Sequence, residues 1–530
     1  MLNPATYLDA AARRKADAPA AIYDDRVYSF GDLAALSNQV ANALEAAGIK
    51  AGDRVALLCP NRPGFIAVTY GALKIGAELV LLSTTCKARD IAFQLTDSGA
   101  KAFFVYDGHG DTSTAEEMLA ILPETIELAV VIPPSPFAKW RMPGAKQGQS
   151  WPSLGRFLEP ASRLFTTRLL ALEQTALILY TSGSTGRPKG VQITAANIAH
   201  MVLLNVPLAA KGATARKLVA TPLYHILGQV FCLHLSMLMG EVMILVEGFE
   251  PDRVWRLMEG RGASHFVHMP IYYKYLLDNA GSVDERKIRE TLKLCGTGSS
   301  PLPPAWSAEF EARYGQPIVP GYGMTETTAI VTWHSPEDEL RIDSVGPVAP
   351  GVEVRLTRQD GTPAAAGEEG EICVRSPGVM KGYLNLSAAT DAVLQDGWYQ
   401  TRDLGTFDED GYLYIRGRAD QKIKRGEEHI YPAEIETVLM EHPLVARAAV
   451  ISVPDAVLGE EAKTLVVPSK PGAITEAGLL AWLERELPDG KCPGVLQFRD
   501  HLPTTTLGKI AHAELRAAEL AIMEVNHGRP

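Results

Sequence analysis

Apolar and polar positions alternate along this chain in three different rhythms. From Phe30 to Ala47 apolar residues recur at helical spacing, Arg54 to Leu58 is an apolar run of strand length, and GALKIGAELVLL (Gly71 to Leu82) repeats the order of helix then strand. Strands alternating with helices predict parallel pairing in an α/β layer architecture. Between Gly351 and Arg375 the rhythm shortens. There VEVRLTRQDGTP and GEICVR read as short strands joined by the turn Asp360-Gly361, which predicts a small antiparallel sheet or β-barrel. From Asp420 onward a helix over Ala433 to Glu441, strands at ARAAVISV and KTLVVPS, and a second helix over Leu479 to Leu487 predict a small α+β domain. The most apolar stretch, Val230 to Val246, is interrupted by His234, Gly240 and Glu241 and falls short of the roughly 20 residues of a membrane span. It predicts a buried helix followed by a strand. No internal repeat or low-complexity segment is visible in the sequence.

These rhythms divide the chain into a large N-terminal domain, residues 1–419, of layered α/β subdomains plus a small β-barrel, and a small C-terminal α+β domain, residues 420–530. A length of 530 residues agrees, because one hydrophobic core rarely grows past about 250–300 residues. Composition adds exclusions. With 51 Lys+Arg against 62 Asp+Glu the formal charge is −11, and no basic surface is available for general nucleic-acid binding. At 46% hydrophobic and 21% charged the chain is globular rather than disordered. Cys59, Cys86, Cys232, Cys295, Cys373 and Cys492 stand singly, without zinc spacing or a CxxC pair, which favours a reducing compartment. Asp9, Arg13, Arg14 and Lys15 precede any long apolar run, so no secretory leader and a cytoplasmic location are expected.

The strongest chemical signal is ALILYTSGSTGRPKGVQIT, an apolar strand (Ala176 to Tyr180) running into small and hydroxylated residues that end in Lys189. Such a loop offers free backbone N–H groups, hydroxyl donors and an ammonium to a polyphosphate. It is not a Walker A loop, because Lys189 lies between Pro188 and Gly190 instead of preceding Ser or Thr. YTSGSTGRPKG resembles the signature loop of the adenylate-forming superfamily of acyl-CoA synthetases, adenylation domains and luciferases. Further blocks similar to that family follow in order: PLYHILG (Pro222 to Gly228), GYGMTET (Gly321 to Thr327), GEICVRSPGVMKGYLN (Gly370 to Asn385), YQTRDLGTFDEDGYLYIRGR (Tyr399 to Arg418) and TTTLGKI (Thr504 to Ile510). The likeness covers nearly the whole chain and is closest to acyl-CoA ligases.

The resemblance implies a reaction in which a carboxylic acid attacks the α-phosphorus of ATP, giving an acyl-AMP and pyrophosphate, before CoA takes the acyl group. Two anions must meet, so cations and a metal have to stabilise developing charge. It implies that Thr181, Ser182, Gly183, Ser184, Thr185, Gly186 and Lys189 hold the β- and γ-phosphates, that Glu326 is the Mg²⁺ ligand, and that Thr325 faces the α-phosphate. Asp403 would take the ribose hydroxyls, Tyr322 beside Gly323 would stack on adenine, and Arg418 would approach ribose or phosphate. Around Cys295 to Pro301, Gly296 and Gly298 would let backbone pass close to the acyl pocket and adenine, with a plain turn as the competing reading. Lys509 would bind carboxylate and α-phosphate, and Asp420 would be the hinge on which the small domain moves as a mobile lid. The acid would enter between Tyr224, His225, Gln229, Gly296 and Met324. No Asp for a substrate ammonium is seen in PLYHILG, so an aliphatic or aromatic acid without an amino group is expected. His225 either gates this pocket and joins the catalytic set or packs as a core histidine.

Two departures from the family pattern bear on function. Arg402 replaces the Gly usual before the ribose-binding Asp403. In KIKRGEEHIYPAEIE the usual Gly-Gly pair is Gly426-Glu427, where Arg425, Gly426 and Glu427 would line the CoA tunnel. A carboxylate there leaves open an acyl carrier protein or an amine as acceptor in place of CoA, and a non-catalytic acyl or nucleotide sensor is the alternative from another class. A monomer or homodimer is expected.

Overall fold

The structure is a computed structural model, and it describes residues 1–108, 115–134, 151–181, 187–209, 215–281, 283–335, 338–358, 360–426, 428–455, 457–488, 490–505 and 509–527. The first helical rhythm becomes helix Phe30–Ala46, started by a capping box in which the Asp32 N–H donates to Ser29 Oγ and the Ser29 N–H to the Asp32 carboxylate, both at 3.0 Å. It crosses helix Pro63–Ile75 at Gly71, where a Cβ would overlap Val40, so the close helix approach requires glycine there.

Strands Arg54–Leu58 and Glu78–Leu82 pair in parallel as expected. They lie in a seven-stranded sheet ordered Gly382–Tyr383, Lys189–Thr194, Thr175–Thr181, Glu78–Leu82, Arg54–Leu58, Ala102–Tyr106, Leu128–Ile132. An eight-stranded sheet is ordered Thr332–Trp333, Ile318–Tyr322, Leu294–Thr297, His265–Val267, Arg216–Val219, Val242–Leu245, Pro19–Tyr23, Arg26–Ser29, parallel in its middle and antiparallel at both edges. The apolar stretch from Val230 resolves into a π-helical turn Gly228–His234, helix Leu235–Met239, a left-handed Gly240 and strand Val242–Leu245, all inside the core. Among the described residues no helix is long and apolar enough to cross a membrane.

The third sheet is antiparallel, as its short rhythm predicts: Glu353–Thr357, Gly370–Arg375, Trp398–Phe407 and Leu394–Gln395, with Leu413–Arg418 also on Trp398–Phe407. Among the described residues its ladder is open, and no pairing closes it into the expected barrel. The fourth sheet contains Glu428–Ile430, Ile423–Arg425, Gly459–Pro468 and Val445–Asp455, and Val495–Phe498 runs parallel to Gly459–Pro468. Helices Pro432–Glu441 and Glu476–Glu486 cover it, close to the predicted spans. Ile423, Ile435, Leu439, Val450, Leu479 and Leu483 form a core separate from that of the large sheets. Burial of apolar side chains thus organises two bodies, and a cleft of about 2990 Å³ lies between the sheet ends and the small α+β unit.

Candidate active site

The register of the third sheet creates the polar end of the cleft. Asp403 and Arg418 lie directly opposite each other on strands Trp398–Phe407 and Leu413–Arg418, and Arg418 Nη1 donates to Asp403 Oδ1 at 2.9 Å. Tyr322, last residue of its strand, donates its hydroxyl to Asp403 Oδ2 at 2.7 Å. Burial pushes the Asp403 carboxyl up, while Arg418, the Tyr322 hydroxyl and Lys509 pull it back down. The chain then turns sharply. A Cβ on Gly323 would overlap the Ala329 carbonyl, and Thr328 and Ala329 take φ of 54° and 90° around the 3₁₀ turn Thr325–Thr327. That turn presents Glu326, whose Oε1 accepts the Tyr383 hydroxyl at 3.1 Å. Burial raises the Glu326 carboxyl, opposed by a backbone N–H and by Tyr383.

Lys509 is delivered from the small unit. Thr504 and Ile510 pair antiparallel, and the Thr505 N–H donates to the Lys509 carbonyl at 2.6 Å. The Lys509 side chain stays open to cleft solvent, yet its ammonium is hemmed in by protein: burial lowers its pKa, Asp403 raises it, Arg418 lowers it and Glu326 raises it. Lys509, Asp403, Arg418, Glu326, Thr325, Tyr322, Gly323 and Gly298 all line the one cleft. Thr181 ends strand Thr175–Thr181 on the same wall, and the Lys189 ammonium sits 4.9 Å from the centroid of the Tyr383 ring. Ser182, Gly183, Ser184, Thr185 and Gly186 lie outside the described residues.

The apolar end is built differently. Tyr224, His225, Gly296 and Met324 reach the cleft as expected. Gln229 does not: it is fully buried in the π-helical turn, and its amide donates to the Leu223 carbonyl at 2.5 Å, so its expected place in the acid pocket is corrected to one in the core. In its stead the wall carries Phe231, Phe249, His268 and Tyr272, none of which the sequence reading singled out. The ring centroids of Phe249 and Tyr272 are 4.5 Å apart and those of His268 and Tyr272 3.8 Å. Pro270 starts helix Pro270–Asp278 just after the loop holding His268 and sets Tyr272, four residues past His268, in the first helical turn, a local signal that marks this wall. Burial is the main cause that takes His268 down to about 3 and His225 to about 4, with the Lys509 ammonium adding to the latter. Both rings are therefore neutral near pH 7.

Between the two bodies, Asp420 Oδ1 accepts from Arg418 Nε at 3.1 Å. Glu369 Oε1 accepts from the Tyr431 hydroxyl at 2.7 Å and from Lys422 Nζ at 3.1 Å, and Arg447 Nη2 donates to Tyr275 Oη at 3.2 Å. Arg425 and Gly426, expected at a CoA tunnel, do not reach the cleft. The Arg425 guanidinium is tied to Glu461 at 3.0 Å, to the Cys492 carbonyl at 2.7 Å and to the Gly490 carbonyl, and so braces the small unit. Glu427 lies outside the described residues. Arg402 holds φ 62°, the left-handed region that favours glycine, with its side chain in solvent and its N–H on Glu371 Oε1 at 3.0 Å.

Comparison with known proteins places these features together. The family model described as AMP-binding enzyme matches residues 8–384, and that of the AMP-binding enzyme C-terminal domain matches residues 434–509. The chain is 34% identical over 516 residues to the feruloyl-CoA synthase of Amycolatopsis sp, covering 95% of this chain and 96% of that one. Among solved structures it is similar to the anthranilate CoA ligase AuaEII in complex with anthranoyl-AMP (TM-score 0.87, 26% identity, 98% of both chains). It is likewise similar to the o-succinylbenzoate CoA synthetase MenE of Bacillus subtilis in complex with ATP and magnesium ion (TM-score 0.82, 28% identity, 96% of this chain and 98% of that one).

Proposed function

This chain belongs to the family of AMP-binding enzymes, and on that premise we propose how its residues divide the reaction. It is an AMP-forming acid–CoA ligase: a carboxylic acid and ATP give an acyl-AMP and pyrophosphate, and CoA then takes the acyl group and releases AMP. ATP, magnesium and CoA are its co-substrates and cofactor. The observation that carries the assignment of roles is the convergence of Lys509, Asp403, Arg418 and Glu326 at one end of an aromatic-walled cleft.

In this reading the two Asp403 oxygens, steadied by Tyr322 and Arg418, accept the ribose hydroxyls, and the Tyr322 ring offers a face to adenine. Lys509 lies between the nucleotide end and His225, where an ammonium meets both the acid carboxylate and the α-phosphate as negative charge gathers. Thr181 and Lys189 belong to the phosphate end and Thr325 to the α-phosphate. The Glu326 carboxylate enters no ion pair among the described residues and meets only neutral donors, a backbone N–H and the Tyr383 hydroxyl, a setting that suits a hard cation. Mg²⁺ held by Glu326 would neutralise phosphate charge. Neutral His225 walls the junction without adding a second cation. Rotation of residues 420–530 about Asp420 then clears Lys509 from the cleft so that the hairpin of Arg425 and Gly426 can face CoA.

The acid is an aryl acid. Phe231, Phe249, His268 and Tyr272 form an aromatic arm that carries no carboxylate to receive a substrate ammonium, which suits a flat ring and disfavours an amino acid. Acid-dependent ATP–pyrophosphate exchange over benzoates, cinnamates, fatty acids and amino acids tests this, followed by CoA as acceptor. Exchange with aryl acids and rapid CoA-thioester formation is the expected result. Preference for amino acids overturns the acid class, and exchange without CoA turnover shifts the acceptor to a carrier protein or amine.

A further inference from the structure

His512 lies three residues beyond Lys509 and has no place in the reaction as described. Its two ring nitrogens both face acceptors. Nε2 is 2.6 Å from Glu436 Oε1 and Nδ1 is 3.3 Å from the Ile510 carbonyl. A neutral imidazole has one N–H and satisfies only one of these, whereas an imidazolium satisfies both. Ile510 is the residue next to Lys509 and pairs with Thr504, while Glu436 stands on helix Pro432–Glu441 and also accepts the Val450 N–H at 2.7 Å. The ring therefore bolts the end of the segment carrying Lys509 to the central helix and strand of the small unit. The pair is partly shielded, with side-chain exposures of 21% and 18%, so it is neither freely solvated nor an inert core contact.

We propose that the Glu436–His512 ion pair is the positioning device that aims Lys509 during acyl-AMP formation, and that, being built on an imidazolium, it gives this half-reaction an alkaline limit that thioester formation lacks. The inference rests on the role given to Lys509 above. Burial lowers the His512 pKa and Glu436 more than offsets this, leaving it above the ordinary histidine value, so the bolt is in place at neutral pH and is lost as pH rises through that raised value. The other charged groups on the packed elements are committed elsewhere. Arg516 donates to the Ser452 carbonyl and lies 3.6 Å from Glu460, Glu434 pairs with Lys491 at 3.1 Å, and Arg447 goes to Tyr275. Glu514 on the same helix is exposed, and the Lys509 ammonium feels Asp403, Arg418 and Glu326 across the cleft. Because the pair lies wholly within residues 420–530, it survives rotation of that unit and acts on where Lys509 is placed, not on whether the unit moves.

The test measures both half-reactions of the full chain from pH 6 to 9.5: acid-dependent ATP–pyrophosphate exchange, and CoA-thioester formation from supplied acyl-AMP. His512→Gln removes the ionic bolt and is expected to slow exchange about 10-fold at pH 7 with the KM for ATP within about twofold, while the thioester half-reaction stays within about twofold. His512→Arg keeps a cation against Glu436 and is expected to restore most of the exchange rate and to move the alkaline limb upward by removing the part due to His512. Equal loss in both half-reactions for His512→Gln, or an unshifted limb for His512→Arg, overturns the proposal. Absence of exchange in the wild-type chain with every acid would instead strike at the role of the cleft itself.

Discussion

Asp403 and His268 are buried to a similar degree in one cleft, at 8% and 4% exposure, and their surroundings treat charge in opposite ways. Around Asp403 the cost of burying a carboxylate is offset by Arg418 and the Tyr322 hydroxyl, so the polar end keeps a carboxylate inside the protein. Around His268 the hydrogen bonds are to backbone and the flanks are rings, so the arm drives the charge out and the imidazole stays neutral. One end is a built electrostatic frame with positions for anions and their counter-charges. The other is a dry wall that selects by shape and polarity. A reaction that must join two anions and then tolerate an apolar tail needs both within a few ångströms.

The largest test of that contrast removes the ammonium at the junction. Lys509→Ala is expected to lower ATP–pyrophosphate exchange by about 10³-fold, some 4 kcal/mol, whereas acyl-AMP supplied from outside is still converted with CoA. Equal exchange rates in the two proteins would take Lys509 out of its role. A second test acidifies two buried histidines, His268 at the aromatic end and His234 in the core beside Tyr70. His234 and His268 both have native pKa values of about 3 against an ordinary 6.5, with burial as the leading cause. Below pH 6.5 the unfolded chain therefore binds protons that the native chain refuses. Their contribution is complete above pH 6.5 and drains as pH falls towards 3, by up to about 1.4 kcal/mol per pH unit for each ring. Urea unfolding between pH 7 and pH 5 measures the slope, and His268→Phe should remove about half of what the two rings contribute. Raised carboxyls such as Asp403 and Glu326 act in the opposite sense, which is why the difference between the two proteins is the quantity to read.

The smallest effect is expected at Arg402, which lines the cleft beside Asp403 with its side chain exposed. Its φ of 62° costs a non-glycine residue about 1–2 kcal/mol, and Arg402→Gly relieves this while adding unfolded-state entropy. The net change should be stabilising by less than about 1 kcal/mol, with exchange kinetics within twofold. A marked drop in exchange would mean that the exposed guanidinium reaches a phosphate.

The polar end of the cleft was legible because each of its parts is carried by a contiguous block. GYGMTET contains Tyr322, the obligatory Gly323 and Glu326, and YQTRDLGTFDEDGYLYIRGR spans both strands whose pairing sets Asp403 against Arg418. The arm was not legible. Phe231, Phe249 and the pair His268 and Tyr272 come from three separate stretches, and packing assembles them. Gln229 went wrong for a local reason: it belongs to the turn Gly228–His234, whose π-helical winding and fully buried face turn the amide inward to the Leu223 carbonyl.

Periodicity and turn chemistry alone determined the elements named at the outset, because a helix period, a strand period and an Asp-Gly turn are local properties of the chain. Short motifs marked the charged residues for the same reason, since phosphates and a metal are held by fixed arrays of backbone and side-chain donors. Tertiary structure decided the rest: which residues line the acid arm, that Arg425 is consumed by Glu461 and two carbonyls, and that Lys509 and His512 reach a common frame through Glu436. Those facts depend on distances between segments far apart in sequence. Burial and long-range pairing set such distances, and both belong to the folded chain as a whole.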